Sequence, residues 1–314
     1  MKILITGCYR SGTEYVTQLL NNHPNLAAKM YTTNFMRYYF KKYDPIAENY
    51  LKLINNAYDT IKSRHKIKFN LKNVINNIDK PSYGSIYDAI MSDLYINDEV
   101  KHWGEKTQLV WREIPQFLNM FPDGKCINII RDPRSVLASF KKHTYAKKPL
   151  YLGAIFNCFD SMKHSVTYTN YYPNKFLNVK YEDVLMNEED ELKKIFDFLG
   201  LSSDHDLTSR VGWVDTSGNP WKDNTEFGKF SKTSSVNRWK KNLLTWEVDM
   251  CETINDKYMK KFGYERDIKP NITITWKYNK HPKVIEYLDL WRMNKGIQEF
   301  PTDPNDPSNW SENQ

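Results

Sequence analysis

The sequence is poor in cysteine and glycine, and it lacks a long hydrophobic run. Its four cysteines (Cys8, Cys126, Cys158 and Cys251) are scattered along the chain, a spacing that suits neither a disulfide framework nor a metal site. Scattered single thiols are typical of a reducing compartment, so we expect a cytoplasmic protein. Every apolar stretch is too short to cross a bilayer, and a strand is predicted from residue 2. We therefore expect neither a membrane span nor a signal peptide.

The composition predicts a well-packed core. Hydrophobic residues make up 40% of the 314 residues and aromatic residues 14%, which is ample for one large α/β domain. We assign residues 1–300 to that domain, with a helical, irregular insertion at residues 34–100. The tail at residues 301–314 has too few apolar residues to pack, so we expect it to be extended or disordered.

Positive charge is concentrated in one part of the chain. The net charge is +7, and residues 34–80 contain ten Lys and Arg against four Asp and Glu. A solvated helical face explains such a cluster, and so does attraction of an anionic ligand to a nearby site. No nucleic-acid-binding motif accompanies the charge, so we expect no nucleic acid partner.

A strand, a glycine-bounded loop and a helix open the chain. Residues 3–5 predict a buried strand, and apolar residues at helical spacing over residues 15–20 predict a helix that has ended before Pro24. The loop between them runs from Gly7 to Gly12. Free N–H groups and the helix dipole converge at such a helix start, so the stretch predicts an anion site.

The loop has the Gly7-x4-Gly12 spacing of a nucleotide-binding phosphate loop, but it lacks the Lys-Ser/Thr pair that should follow. Thr13 and Glu14 stand there instead. The missing lysine would serve the terminal phosphates and the missing hydroxyl would hold Mg²⁺, whereas Arg10 supplies a cation from inside the loop. This pattern favours metal-free transfer of a group less charged than phosphoryl, such as sulfuryl.

A second motif follows a predicted strand at residues 125–130. Arg131 stands where that strand ends, Asp132 is a natural N-cap, and Pro133 suits the first helical position. Ser139 lies eight residues after Arg131, two turns into the predicted helix. Because open α/β sheets bind ligands at the carboxyl ends of their strands, Arg131 and Ser139 can converge on one phosphate.

Together these motifs resemble those of the sulfotransferases that use 3′-phosphoadenosine 5′-phosphosulfate (PAPS). The RSGT run at residues 10–13 looks like their 5′-phosphosulfate loop, and Arg131 with Ser139 looks like their 3′-phosphate motif. The resemblance extends to about residue 264. It implies a three-layer α/β fold with a central, mainly parallel sheet and a phosphate-binding loop. It also implies PAPS as donor, adenosine 3′,5′-bisphosphate (PAP) as product, and no metal.

The resemblance implies nucleotide contacts from the opening loop, the second motif, a YEDVL segment and a polar loop near residue 235. These contacts are Arg10, Ser11, Gly12, Thr13, Glu14, Arg131, Ser139, Tyr181, Lys232, Ser234 and Ser235. Arg10 would also be catalytic, because it would stabilise the leaving oxygen, and Tyr181 would lie near the adenine. Glu14 replaces a hydroxyl that is common in the family, and its charge would compete with the bound anion.

The GEKT run at residues 104–107 is similar to a lysine-containing segment of the family. Lys106 would neutralise charge that grows on the sulfuryl group. Small-molecule members carry a histidine two positions after this lysine, but Gln108 stands there. Some glycan N-sulfating members place a glutamate directly before the lysine, so Glu105 is the expected general base. His102 and Glu14 remain alternatives.

The acceptor stays open at this point, as does the oligomeric state. A hydroxyl or amine on a glycan, a tyrosine, a lipid or a small alcohol would fit. We place the insertion at residues 34–100 on the acceptor side, and an anionic glycan would match the basic segment within it. Two other functions are also open. One is a Mg²⁺-dependent kinase of a small molecule on a degenerate phosphate loop, and the other is a non-catalytic domain that binds a nucleotide or a sulfated ligand.

Overall fold

The computed structural model describes residues 1–143, 148–213, 236–269 and 275–298. Its centre is a sheet of five parallel strands in the order β2-β3-β1-β4-β5. The strands are β1 (Lys2–Gly7), β2 (Leu26–Met30), β3 (His102–Lys106), β4 (Lys125–Ile130) and β5 (Phe176–Lys180). The predicted α/β fold with a parallel central sheet is therefore confirmed.

Helices flank the sheet. They are α1 (Thr13–Leu20), α2 (Phe35–Tyr38), α3 (Ile46–His65), α4 (Leu71–Asn76), α5 (Tyr83–Tyr95), α6 (Ile114–Met120), α7 (Pro133–His143), α8 (Gly153–Tyr171), α9 (Tyr181–Met186), α10 (Glu188–Leu199), α11 (Trp239–Asn242), α12 (Thr245–Lys261) and α13 (Pro282–Arg292). Short 3₁₀ helices at Trp111–Glu113 and Leu150–Leu152 precede α6 and α8.

Side-chain alternation along β1 shows which helices cover each face of the sheet. Ile3 and Ile5 pack with apolar residues of α1, α9 and α10. Leu4 points to the other face and belongs to a larger cluster with residues of α3, α5, α8 and α12. All three β1 residues are fully buried, as expected for a parallel strand that is covered on both sides.

The carboxyl ends of the strands carry the predicted site residues. β1 leads into the Gly7 loop, β3 ends at Lys106, β4 is followed by Arg131, and β5 is followed by Tyr181. β1 and β4 are hydrogen-bonded neighbours. However, the chain continues from β1 to β2 on one side of the sheet and from β4 to β5 on the other. Ligands of open α/β sheets bind at such a reversal, so the crevice between β1 and β4 is the expected position.

Several predicted elements are observed with similar bounds. β1, α1 and β4 cover the stretches predicted at residues 3–5, 15–20 and 125–130. α7 begins at Pro133, and a side-chain oxygen of Asp132 accepts a 2.8 Å hydrogen bond from the N–H of Arg134, as expected for an N-cap. The sequence does not predict β2 and β3.

Residues 34–100 contain the helices α2 to α5, and the assignment of residues 1–300 to one domain stays a prediction. The tail at residues 301–314 lies outside the described residues. Within the described part of the chain, no helix is long and apolar enough to cross a membrane. The same residues contain no group of three or more His, Cys, Asp or Glu side chains that could hold a metal ion.

Candidate active site

The loop after β1 has the backbone geometry of an anion-binding turn. Gly12 has a φ of 90° and Arg10 a φ of 65°, a left-handed region that few residues other than glycine adopt. A Cβ atom on Gly12 would stand 2.1 Å from Cδ2 of Tyr181, so the ring and the loop fit together because residue 12 has no side chain. α1 starts at Thr13, and the N–H groups of its first turn lack carbonyl partners within the helix. An anion at this helix start would meet those donors and the positive end of the dipole.

Ser11 is turned into the loop. Its N–H donates a 3.2 Å hydrogen bond to the carbonyl oxygen of Cys8, and its hydroxyl donates a 2.7 Å hydrogen bond to the same oxygen. The side chain is almost completely buried. These bonds hold the turn, so they favour a structural role for Ser11 over the expected nucleotide contact. The N–H groups of Gly12 and Thr13 are the better candidates for anion binding.

The two predicted anion-binding motifs meet in space. Arg131 Nη1 donates a 2.8 Å hydrogen bond to the carbonyl oxygen of Arg10. Arg10 Nε in turn donates a 3.0 Å hydrogen bond to the hydroxyl of Ser139 on α7. Two guanidinium groups and one hydroxyl are thus gathered at the carboxyl ends of β1 and β4. Guanidinium groups bind phosphate through charge-assisted hydrogen bonds, so this arrangement suits a phosphorylated ligand.

Tyr181 forms one wall of this region. The guanidinium carbon of Arg131 lies 4.7 Å from the centroid of its ring. Burial raises the pKa of the Tyr181 phenol, and the positive charges of Arg131, Arg10 and Arg238 partly offset that rise. The phenol is therefore neutral at physiological pH. Arg238 was not singled out in the sequence, and its effect on the pKa of Tyr181 shows a third positive charge in this region.

An aromatic cluster borders Tyr181. The ring of Tyr15 meets Tyr181 edge-on at 6.0 Å and Trp213 edge-on at 5.6 Å between centroids. Arg210 covers Trp213, with 4.5 Å from the guanidinium carbon to the ring centroid, and forms a 2.8 Å ion pair with Glu188. Burial, followed by the hydrogen bond that Tyr15 donates to Glu188, raises the pKa of Tyr15. The sequence analysis missed this cluster, although Tyr15 follows the loop motif directly.

Lys106 is completely buried at the end of β3. Its Nζ lies 3.4 Å from the centroid of the Tyr31 ring and 3.4 Å from Oε1 of Glu14. A buried ammonium group loses hydration, and a nearby carboxylate and an aromatic ring face offset part of that cost. The structure therefore brings together Lys106 and Glu14, which are 92 residues apart in the chain.

Tyr31 completes this cluster and was missed in the sequence analysis. Its hydroxyl lies 3.2 Å from Oε1 of Glu14 and 2.6 Å from Oε1 of Gln108. Gln108 Nε2 donates a 3.2 Å hydrogen bond to the hydroxyl of Thr13. Tyr31 directly follows β2 and has a φ of 57°. If β2 had been predicted, Tyr31 would have been recognised as a residue at the carboxyl end of a strand and therefore as a candidate site residue.

Glu105 points to the opposite face of β3 from Lys106, because neighbouring residues of a strand alternate. It is fully buried, and its carboxylate accepts hydrogen bonds from the N–H groups of Thr33 and Asn34 and from the hydroxyls of Thr33 and Tyr87. Asn34 is the N-cap of α2, so the carboxylate satisfies donors at that helix start. These contacts favour a structural role for Glu105 and do not support the expected role as general base.

His102 lies at the amino end of β3, away from the carboxyl edge that carries Lys106. Its Nδ1 is 3.1 Å from the amino group of Met1. Burial lowers the pKa of His102, and the positive charge of the chain terminus lowers it further. This location does not favour His102 as the base.

Three predicted contacts, Lys232, Ser234 and Ser235, lie outside the described residues. The chain is described again from Val236, whose carbonyl oxygen accepts a 3.0 Å hydrogen bond from the hydroxyl of Ser135. Ser135 lies on α7, one turn before Ser139. Val236 therefore lies beside the second motif, and the roles of the three residues stay predictions.

Comparison with known proteins identifies a family and related folds. A family model described as "Sulfotransferase family" matches residues 2–206, well over half of the chain. The sulfotransferase domain of the Synechococcus PCC 7002 olefin synthase is similar in structure, with a TM-score of 0.58 and 16% identity over 84% of this chain and 95% of that chain. The sulfotransferase domain from the curacin biosynthetic pathway is also similar, with a TM-score of 0.55 and 16% identity over 84% of this chain and 97% of that chain. No curated protein matches the sequence.

Proposed function

This chain belongs to the sulfotransferase family, and from that premise we propose that it transfers a sulfuryl group from PAPS to a hydroxyl or amine, leaving PAP. The choice of PAPS as the donor rests on one observation. Arg131 contacts the Arg10 carbonyl at 2.8 Å, and Arg10 contacts Ser139 at 3.0 Å, so the two anion-binding motifs are adjacent. A ligand that engages both motifs needs two anionic groups on one molecule, as PAPS has.

The loop and α1 would hold the 5′-phosphosulfate. The N–H groups of Gly12 and Thr13 and the positive end of the α1 dipole are suited to that charge. Arg10 would turn from Ser139 to this group and stabilise the leaving oxygen as the bond to sulfur breaks. Arg131 and the released Ser139 hydroxyl would bind the 3′-phosphate. Tyr181 lies against both Gly12 and Arg131, and with Tyr15 it offers an aromatic wall for the adenine.

On the acceptor side, a basic and aromatic cluster adjoins the loop. Arg37 Nη1 donates a 2.9 Å hydrogen bond to the hydroxyl of Tyr9, the neighbour of Arg10. The cations of Arg37, Lys42 and Arg64 lie 5.3, 5.6 and 5.9 Å from the centroid of the buried Tyr38 ring. This concentration of positive charge supports an anionic acceptor, such as an anionic glycan, over a neutral one.

The decisive experiment is incubation of the purified chain with ³⁵S-labelled PAPS in buffer that contains a metal chelator. The acceptor panel pairs anionic oligosaccharides with neutral oligosaccharides of equal length, and adds phenols, simple alcohols and amines. Mass spectrometry then identifies the product. We expect sulfated product without metal, with the anionic member of each pair modified faster at low salt. Arg37→Gln with Arg64→Gln should reduce that preference, whereas Lys72→Gln, an exposed change on α4, should preserve it.

The same assay tests the two other functions. A kinase would consume ATP only when Mg²⁺ is present and would ignore PAPS. A non-catalytic domain would bind PAP in a calorimetric titration and form no sulfated product with any acceptor. Either result would contradict the proposal, and failure to bind PAP would contradict the assignment of the donor.

A further inference from the structure

Glu14 lies where an acceptor proton could be received. It is in the first turn of α1, directly after the residues that would hold the phosphosulfate. Its Oε1 lies 3.4 Å from Lys106 Nζ and 3.2 Å from the hydroxyl of Tyr31. Its side chain is 31% exposed, whereas that of Lys106 is completely buried. The carboxylate is therefore held from behind by a fixed cation and a hydroxyl, while part of it remains accessible.

The two contacts of Glu14 engage the same oxygen. Among the described residues, Oε2 accepts no hydrogen bond. A carboxylate with one anchored oxygen and one accessible oxygen has a defined orientation and can still accept a proton. Glu105, in contrast, is fully buried and uses both oxygens to bind α2 and Tyr87.

An unneutralised carboxylate at this helix start would repel the anionic donor. Lys106 offsets that charge locally, so Glu14 can occupy a position next to the phosphate loop. The pairing of Lys106 with Glu14 also fits the complete burial of Lys106, because a buried ammonium group cannot move far from the Glu14 carboxylate that it orients. Helix stabilisation alone would need neither Lys106 nor Tyr31, because any carboxylate in the first turn interacts favourably with the dipole.

We propose that Glu14 is the general base of the reaction, with Lys106 and Tyr31 as positioning residues. The inference rests on the proposed function. The acceptor oxygen or nitrogen forms a bond to sulfur while its proton moves to Oε2 of Glu14. The bond between sulfur and the bridging phosphate oxygen breaks, and its electron pair leaves with PAP. Glu14 then releases the proton to solvent, so protons, charges and the sulfuryl group balance.

The test compares wild type with Glu14→Gln, using PAPS as donor and p-nitrophenol, phenol and water as acceptors. About half of p-nitrophenol is already phenolate at neutral pH, and the phenolate can attack without a base, whereas phenol and water must lose a proton during attack. For phenol and water we expect Glu14→Gln to lower turnover by about 10²–10⁴-fold, the usual contribution of a general base. For p-nitrophenol we expect a loss of less than about 10-fold. The dissociation constant of PAP should stay within about threefold of the wild-type value or decrease, because a negative charge is removed.

Glu48→Gln is the matched control, because Glu48 is an exposed carboxylate in the first turn of α3, and it should change none of these values. Equal activity of Glu14→Gln and wild type with all acceptors would overturn the proposal. An equal loss of activity with p-nitrophenol and with phenol would also overturn the proposal, because it would indicate that Glu14 orients Lys106. A gain in activity would overturn it as well, because it would indicate that Glu14 restrains Lys106. Failure of the proposed function is a separate result, because wild type itself would then release no PAP from PAPS.

Discussion

Arg10 and Ser139 are 129 residues apart in the chain, yet the Nε of Arg10 donates a 3.0 Å hydrogen bond to the hydroxyl of Ser139. Arg10 lies in the loop after β1 and Ser139 on the helix after β4, and these two strands are neighbours. The bond therefore crosses the crevice in which open α/β sheets bind ligands. A bisphosphorylated nucleotide there would exchange this bond for one phosphate contact at each residue.

Substitution of Ser139 by Ala should weaken binding of PAP but not of adenosine 5′-phosphate. The hydroxyl is assigned to the 3′-phosphate, which only PAP carries, and a hydrogen bond to a charged group contributes about 1.5–3 kcal/mol. We expect PAP affinity to fall about 10–100-fold in isothermal titration calorimetry. Ser92→Ala, on the distant helix α5, is the control. An equal loss for both nucleotides would contradict the assignment of Ser139 to the 3′-phosphate.

Substitution of Glu105 by Gln should reduce stability rather than chemistry. The buried carboxylate accepts hydrogen bonds from Thr33, Asn34 and Tyr87, and an amide in its place turns one acceptor into a donor that faces other donors. We expect the free energy of unfolding in urea to fall by about 2–4 kcal/mol. Turnover per folded molecule should change less than about threefold, far below the contribution of a general base.

Glu14→Gln should give the opposite pattern, with turnover lowered and stability largely kept, and it is the natural comparison for Glu105→Gln. Its carboxylate is partly exposed and its charge is offset by one buried lysine. If Glu105→Gln instead abolished turnover and left the urea midpoint unchanged, Glu105 would be the base after all, as its position before Lys106 suggested.

The sequence was sufficient where local signals agree with the tertiary structure. β1, its glycine-bounded loop and α1 were predicted because a buried apolar strand, Gly12 and helical periodicity occur in succession. The start of α7 was predicted because the preference of Asp132 for the N-cap depends on its own backbone neighbours.

The sequence was insufficient where burial depends on distant residues. β3 contains Glu105 and Lys106, charges that indicate a surface segment when read locally. Both are buried because Tyr87, Thr33, Glu14 and other residues far along the chain contact them. Without β3 as a strand, the opposite orientation of these two neighbours could not be predicted. β2 contains two alanines in five residues, a weak strand signal, and Tyr31 was overlooked for that reason.

Substitution of Gly12 by Ala should abolish PAP binding. The backbone there has a φ of 90°, and the new Cβ would stand 2.1 Å from the Tyr181 ring, so both the loop and the ring would have to move. Gly200→Ala is the matched control, because Gly200 has a φ of 73° and no atom within 4 Å of an added Cβ. It should cost about 1–2 kcal/mol of stability and leave PAP affinity intact. Equal PAP affinity for the two variants would show that contact with Tyr181 does not shape the loop.

Stability should decrease as the pH falls below about 6.5, and His65 should contribute to that decrease. Its Nε2 is 3.0 Å from the carbonyl oxygen of Tyr31, and burial is the main cause that lowers the pKa of His65 below 6.5. Below pH 6.5 the unfolded chain binds a proton that the folded chain resists, so the free energy of unfolding falls by up to about 1.4 kcal/mol per pH unit for such a group. Above pH 6.5 both states are neutral at this residue, and the contribution vanishes. Urea unfolding of wild type and His65→Gln at pH 7.5 and 5.5 measures the difference.

His65→Gln should lose less stability between these pH values than wild type does. It should not become independent of pH, because burial also lowers the pKa of His23 and of His102. Lys66→Gln is the control, because it is an exposed change next to His65 that leaves the imidazole in place, and it should keep the wild-type pH dependence. If His65→Gln and wild type lost equal stability on acidification, the folded protein would accommodate a charged His65. The C-terminal end of α3 would then be more open to water than its contact with Tyr31 indicates.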